Sequence, residues 1–131
     1  MTPEHWLTKA RRALASARVL LTSDDAEGAC NRAYYAMHDA ARAALAHGAP
    51  DETFPKSHSG LIAAFSQQWV KTGRVPIDLG RAFNRAADLR LLADYAAAVI
   101  DSGTALSTGE WAAEFVDAIG ELVCGGRAAA P

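Results

Sequence analysis

Residues 31–45 read NRAYYAMHDAARAAL, and the fold turns on this stretch. Alanine is the strongest helix former, so an alanine-rich run of this length predicts a helix. Successive residues of a helix turn by about 100°. On that wheel Cys30, Tyr34, Met37, Ala41 and Leu45 fall together and form a core face. Asn31, Tyr35, His38 and Arg42 follow at steps of four, three and four, and so stack along one border of that face. Arg32 lies nearly a third of a turn away from the row. A border of this kind is where Tyr, His and Asn ordinarily bond to a neighbouring helix. That reading is the one composition favours, and a working surface is the alternative, since histidine titrates near neutrality and arginine holds phosphate.

Outward from this helix the pattern stays helical, and no Val, Ile or Thr run alternates with polar residues over strand length. Thr2-Pro3-Glu4 predicts a helix start by its hydroxyl cap, first-position proline and first-turn carboxylate. Leu7, Ala10, Leu14, Ala17 and Leu21 then share a face, with Lys9, Arg11, Arg12 and Arg18 outside it, to an end near Thr22 or Ser23. Asp24 to Glu27 has capping-box spacing, with Asp25 as a rival cap, and the second helix runs to about Ala46. Gly48, Pro50 and Pro55 predict a loop, and Ser57 caps a third helix to roughly Lys71, ended by Thr72-Gly73. Pro76 opens a fourth helix reaching about Ile100, with Leu79, Phe83, Ala86, Leu89 or Arg90, Ala93, Ala97 and Ile100 on its apolar side. Ser107-Thr108-Gly109-Glu110 predicts the cap of a last helix to about Cys124 that buries Trp111, Phe115, Ile119 and Leu122. Trp69 is also expected in the core, and Trp6 under the first helix. Short connections then give an all-α, up-and-down antiparallel bundle of about five helices over residues 1–124, followed by a flexible tail, 125–131.

The 131 residues suit one domain with a single core. A net charge of −2 supplies no global field for nucleic acid, so any basic surface must be a local patch. Cys30 and Cys124 lack ligand spacing and read as two reduced thiols, in keeping with a cytoplasmic protein. The N-terminal segment lacks a signal peptide's apolar run, and no segment approaches the roughly 20 apolar residues of a membrane span. Neither a glycine-rich phosphate loop nor a carboxylate cluster for magnesium is present, so no cofactor or metal is expected.

Asn31-Arg32-Ala33-Tyr34-Tyr35-Ala36-Met37, then His38 and Ala40-Ala41-Arg42, resembles the signature helix of the HEPN (higher eukaryotes and prokaryotes nucleotide-binding) domain family. The likeness continues through Lys56-Ser57-His58-Ser59-Gly60-Leu61, Phe65, Val70-Lys71-Thr72-Gly73, Leu79-Gly80-Arg81 and Leu89-Arg90 to Ala93-Asp94-Tyr95. It is closest to the small stand-alone prokaryotic branch. The resemblance implies a helical bundle that forms a homodimer and serves as the toxin of a toxin–antitoxin pair, with a minimal nucleotidyltransferase as antitoxin. It further implies a metal-independent ribonuclease whose active arginine and histidine, four to six residues apart, meet their copies at the dimer interface. In one branch a tyrosine two positions after that histidine is adenylylated.

Carried onto this sequence, Arg32 and His38 have the spacing, although early in the chain. The later pair would be Arg90 with position 94, where an aspartate stands in place of histidine, and Tyr95 resembles the modifiable tyrosine. Asp94 lies four residues after Arg90, which fits a helical ion pair. Cleavage of RNA by its own 2′-hydroxyl needs a base, an acid and positive charge on the phosphate. His38, Arg32 and Arg90 are the catalytic candidates, while Asn31, Tyr35, Arg42 and His58 are candidates for holding RNA. Asp94 and Tyr95 would line the cleft or dimer interface. The other reading is a non-catalytic helical module that dimerises and docks onto a nucleotidyltransferase to assist nucleotide or substrate binding, and Asp94 favours it.

Overall fold

A computed structural model of the protein describes residues 1–50, 53–95 and 99–125. Five α-helices account for most of these: α1 (Pro3–Thr22), α2 (Ala26–Gly48), α3 (His58–Phe65), α4 (Ile77–Tyr95) and α5 (Ser102–Gly120). No strand occurs among the described residues. One π-helical turn, Ser66–Val70, extends α3, and another, Glu121–Gly125, extends α5. The chain is therefore an all-α bundle, as its periodicity predicts.

α2 is the central element and packs against α1, α3, α4 and α5. Its alanines at 29, 33, 36, 40, 41, 43 and 44 are all buried, and side chains this small let four helices approach one axis. Asp24 takes a left-handed φ of 62°, tolerable for a short polar residue, and turns the chain between α1 and α2. Asp25, the rival cap, is the one used: its carboxylate accepts from Gly28 N at 2.9 Å. The two helices run antiparallel, so Trp6 at the start of α1 meets Arg42 near the end of α2, while Leu20 and Leu21 pack near Ala29.

Phe65, Phe83 and Phe115 join α3, α4 and α5 in one aromatic cluster, with ring centroids 5.2–5.8 Å apart. Tyr34 of α2 stacks on Phe83 at 6.0 Å and ties the cluster to the central helix. Gly73, at φ +82°, lets the chain reverse after the π turn, where few side chains would fit without strain. Gly80 gives the closest approach between α4 and that turn, since an added Cβ would lie 3.0 Å from a Val70 methyl.

Four details depart from the periodicity reading. α4 is described to Tyr95, and Ile100 is not helical but buried in a smaller cluster with Ala29, Cys30 and Ala105; Ala97 lies outside the described residues. The last helix begins at Ser102, not near Ser107, because Asp101 caps it by accepting from Thr104 N at 2.6 Å. That bond, aided by the Thr104 hydroxyl, holds the Asp101 carboxyl below its ordinary range. Ser107 to Glu110 is helix interior, with the Thr108 hydroxyl donating back to Thr104 O at 2.7 Å. Trp111 is consequently turned outward and 38 % exposed, whereas Trp69 is buried as expected. Cys30 is buried and Cys124 half-buried, both free thiols. The tail predicted from residue 125 lies, apart from Gly125, outside the described residues.

Candidate functional site

α2 borders an open groove of about 610 Å³. Arg32, Tyr35, His38, Asp39 and Arg42 form its α2 wall, Trp6 and Lys9 of α1 face them, and Lys56 enters from the loop before α3. Lys9, Arg32, Arg42 and Lys56 bring four cations against the single carboxylate of Asp39. The local field is thus positive on a chain whose net charge is −2. A narrower trough of about 320 Å³ shares Trp6, Arg42 and Lys56 and continues the groove past Phe54 and Pro50.

Each groove aromatic carries two cations. The Arg32 guanidinium carbon is 5.1 Å from the centre of the Tyr35 ring, and that of Arg90, arriving from α4, is 5.7 Å away. Arg42 lies 5.1 Å and the Lys9 ammonium 5.2 Å from the Trp6 ring. These are cation–π contacts that hold long side chains in place without neutralising them.

Beside Tyr35, the groove wall is backed by Tyr34, His38, His58 and Arg90. Tyr34 is fully buried, and its hydroxyl is 2.6 Å from His58 Nδ1. Burial, opposed by Arg90, pushes the phenol up to about 12, so it keeps its proton at neutral pH. A protonated phenol with no other hydrogen-bond partner donates to Nδ1, which puts the proton of neutral His58 on Nε2. His58 Nε2–H is then a fixed donor. Burial, then the charges of Arg90, His38 and Arg42, hold the His58 pKa below its ordinary 6.5.

The sign of the His58 effect sets a pH dependence. The folded protein takes up this proton less readily than the unfolded chain, so protonation favours unfolding. The contribution is fully present above pH 6.5 and falls away as pH drops through and below that value. Urea titrations between pH 7.5 and 5 should show a loss of stability on acidification that shrinks in His58→Gln. An unchanged slope in the variant would remove His58 as its source.

His38 is 7 % exposed and packs against Tyr34, Tyr35 and His58, with its centroid 5.0 Å from that of His58. Neither ring nitrogen has a hydrogen-bond partner among the described residues; Nδ1 is 3.7 Å from Asp39 Oδ1, too long for one. Arg32 Nε and Arg90 Nε are likewise buried without a hydrogen bond among the described residues, although Arg90 Nε lies 3.7 Å from Asp94 Oδ2 in an ion pair. Buried polar groups are normally satisfied, and four nitrogens without a hydrogen bond gather in this one locality.

The structure gathers Arg32, Tyr35, His38 and Arg42 on the groove and brings His58 and Arg90 against them. Asn31 is half-buried on α2 and is not part of the groove wall. Asp94 pairs with Arg90 at 3.7 Å, the helical pairing its spacing suggests. Tyr95 stands 79 % exposed at the end of α4, with Leu91 and Leu92 about half exposed on the same helix. The roles of Trp6, Lys9 and Lys56, and the Tyr34–His58 bond, are not visible in the sequence pattern. The only hint at the first is Trp6 three residues before Lys9 on an exposed edge.

A larger cleft, about 650 Å³, opens between α4 and α5 beside Arg81, Arg85 and Trp111. Asp78 and Asp101 line it too, balancing the two arginines, and it holds none of the candidate residues. Size therefore does not identify the site here. The α2 groove combines uncompensated positive charge with buried His38 and Arg32 nitrogens that lack a hydrogen bond among the described residues, and the cleft does not.

These features define an all-α bundle whose central helix carries an electropositive, aromatic-lined groove. The sequence model of the HEPN domain matches residues 3–123, and the chain belongs to the HEPN domain family. A UPF0332 protein of Thermotoga maritima is 40 % identical over 93 residues, 70 % of this chain and 67 % of its own. A UPF0332 protein of Gloeobacter violaceus is 38 % identical over 100 residues, 75 % of this chain and 77 % of its own. A Methanocaldococcus jannaschii protein named "Putative toxin" is 31 % identical over 96 residues, 73 % of this chain and 63 % of its own. No described helix is long and apolar enough to cross a membrane, and no group of three or more His, Cys, Asp or Glu side chains among the described residues could hold a metal ion.

Proposed function

We propose that this protein is the toxin subunit of a toxin–antitoxin pair, which binds single-stranded RNA in the α2 groove and cleaves it without a metal ion. The observation that carries this reading is the convergence of Lys9, Arg32, Arg42 and Lys56 with Tyr35 and Trp6 on one groove, ending at His38 with both nitrogens unpartnered. The toxin designation of the M. jannaschii relative supports the biological setting.

The chemistry follows from the residues. A base takes the 2′-hydroxyl proton, O2′ attacks phosphorus, and the 5′-oxygen leaves with a proton from an acid, giving a 2′,3′-cyclic phosphate. His38 fills one proton-transfer role, and its copy in a second subunit fills the other. Arg32, Arg42 and Arg90 balance the charge on the pentavalent phosphate, and the fixed Nε2–H of His58 adds a donor. Tyr35 stacks on a base. Exposed Leu91 and Leu92 supply an apolar face for the second subunit. The antitoxin is a nucleotidyltransferase, to which the Tyr95 hydroxyl is open for adenylylation.

The second reading, a non-catalytic dimeric module that docks onto a nucleotidyltransferase, is favoured by two observations. Both His38 nitrogens are shielded from solvent, and Asp94 is engaged with Arg90. Incubating the pure protein with end-labelled single-stranded RNA, with and without EDTA, separates the readings. The ribonuclease reading expects equal cleavage in both samples and cyclic phosphate ends. RNA that is bound but uncut would support the docking module, and RNA neither bound nor cut would overturn the RNA reading altogether.

A further inference from the structure

We infer that the groove takes an unstacked single strand with two base platforms, Tyr35 on α2 and Trp6 on α1, each with its own phosphate-holding cations. This rests on the RNA-binding reading above and adds the form of the strand and a second subsite. The basis is a repeated unit: an aromatic ring with two cations within 6 Å of its centre occurs at Tyr35 and again at Trp6, and three of the four cations, Lys9, Arg32 and Arg42, line the one groove with both rings. Such a unit matches one nucleotide: the base takes the ring face from a cation, and the displaced cation turns to the phosphate that follows.

The placing of the two units favours one form of strand. The backbone of Arg42, whose guanidinium lies over Trp6, is seven residues beyond Tyr35 on α2, or about 10 Å along the helix axis. Stacked bases lie about 3.4 Å apart along a strand, a shorter step than this offset, which favours a splayed strand over a stacked one. A strand filling both platforms has its bases splayed, the state in which RNA is read on aromatic side chains. Past Trp6 the continuing trough, lined by Lys56, Phe54 and Pro50, gives the strand a way out of the groove. None of these platform contacts reads a base edge, so recognition here is of single strands rather than of sequence.

Fluorescence anisotropy with a labelled hexauridylate tests the inference on the full chain. Trp6→Ala should weaken binding about 5- to 150-fold, the range for loss of one stacked base. Trp6→Phe, which keeps a ring, should restore most of the affinity, and a self-complementary RNA duplex should bind much less well than the single strand. Lys9→Ala at an exposed position leaves the core untouched and should lower the slope of log affinity against log salt by about one. Tight binding by wild type that neither Trp6→Ala nor Lys9→Ala alters, or equal binding of duplex, overturns the two-platform arrangement alone. Failure of the wild type to bind hexauridylate removes it together with the RNA reading.

Discussion

Replacing His38 with alanine is expected to lower the rate of RNA cleavage by about 10²- to 10⁴-fold, the usual contribution of a positioned proton-transfer group. Because His38 is 7 % exposed, alanine also leaves a cavity, and lost packing must be separated from lost chemistry. His38→Gln preserves most of the volume and a hydrogen-bonding head but cannot shuttle a proton at neutral pH. Both variants should lose cleavage while the glutamine variant keeps its helical circular dichroism and melting temperature. Cleavage by His38→Gln at the wild-type rate would remove His38 from the chemistry and leave it as a buried polar wall of the groove.

Phe115→Ala should destabilise the fold by about 3–5 kcal/mol, as large aromatic truncations in cores do. Phe115 is fully buried, with its ring 5.3 Å from that of Phe65 and 5.2 Å from that of Phe83, so its loss opens a cavity where three helices meet and removes two aromatic pairs. Domains of this size are stable by only about 5–15 kcal/mol, so the variant should melt at markedly lower urea. Trp111→Ala, on the same helix but 38 % exposed, should cost much less. Urea titration of the two variants checks the contrast, and similar midpoints would contradict the aromatic cluster as the centre of the core.

The fold was legible wherever a single helix face decided it. Cys30, Tyr34, Met37, Ala41 and Leu45 share one face by spacing alone and all are buried. Legibility failed between α4 and α5, where two capping signals compete. Ser107 to Glu110 has the right spacing, but a helix starting there would forfeit the burial of Ala105 and leave the Asp101–Thr104 bond unmade. The same capping pattern inside a helix carries no weight once packing extends the helix through it.

At the site, angular position on α2 was readable, and the edge of the groove was not. A wheel places Asn31 with Tyr35, His38 and Arg42, yet Asn31 is absent from the groove wall and Arg32 is on it. Reach explains the difference: the Arg32 side chain is long enough to lie over the Tyr35 ring, whereas Asn31 is short. Trp6, Lys56, His58 and Arg90 come from other elements. Their arrival depends on how the helices cross, which local periodicity does not encode. Tyr34 shows the limit most clearly. It reads as a core residue and is one, while its hydroxyl also sets the tautomer of His58, 24 residues away.

A single RNA strand is expected to lie in the α2 groove and not in the larger α4–α5 cleft. Photocrosslinking a single-stranded RNA containing 4-thiouridine, followed by peptide mass spectrometry, tests it directly. Adducts are expected on Trp6, Tyr35 and the peptide carrying Lys56. Adducts confined to the cleft of Arg81, Arg85 and Trp111, or none under conditions where the RNA is bound, would contradict it.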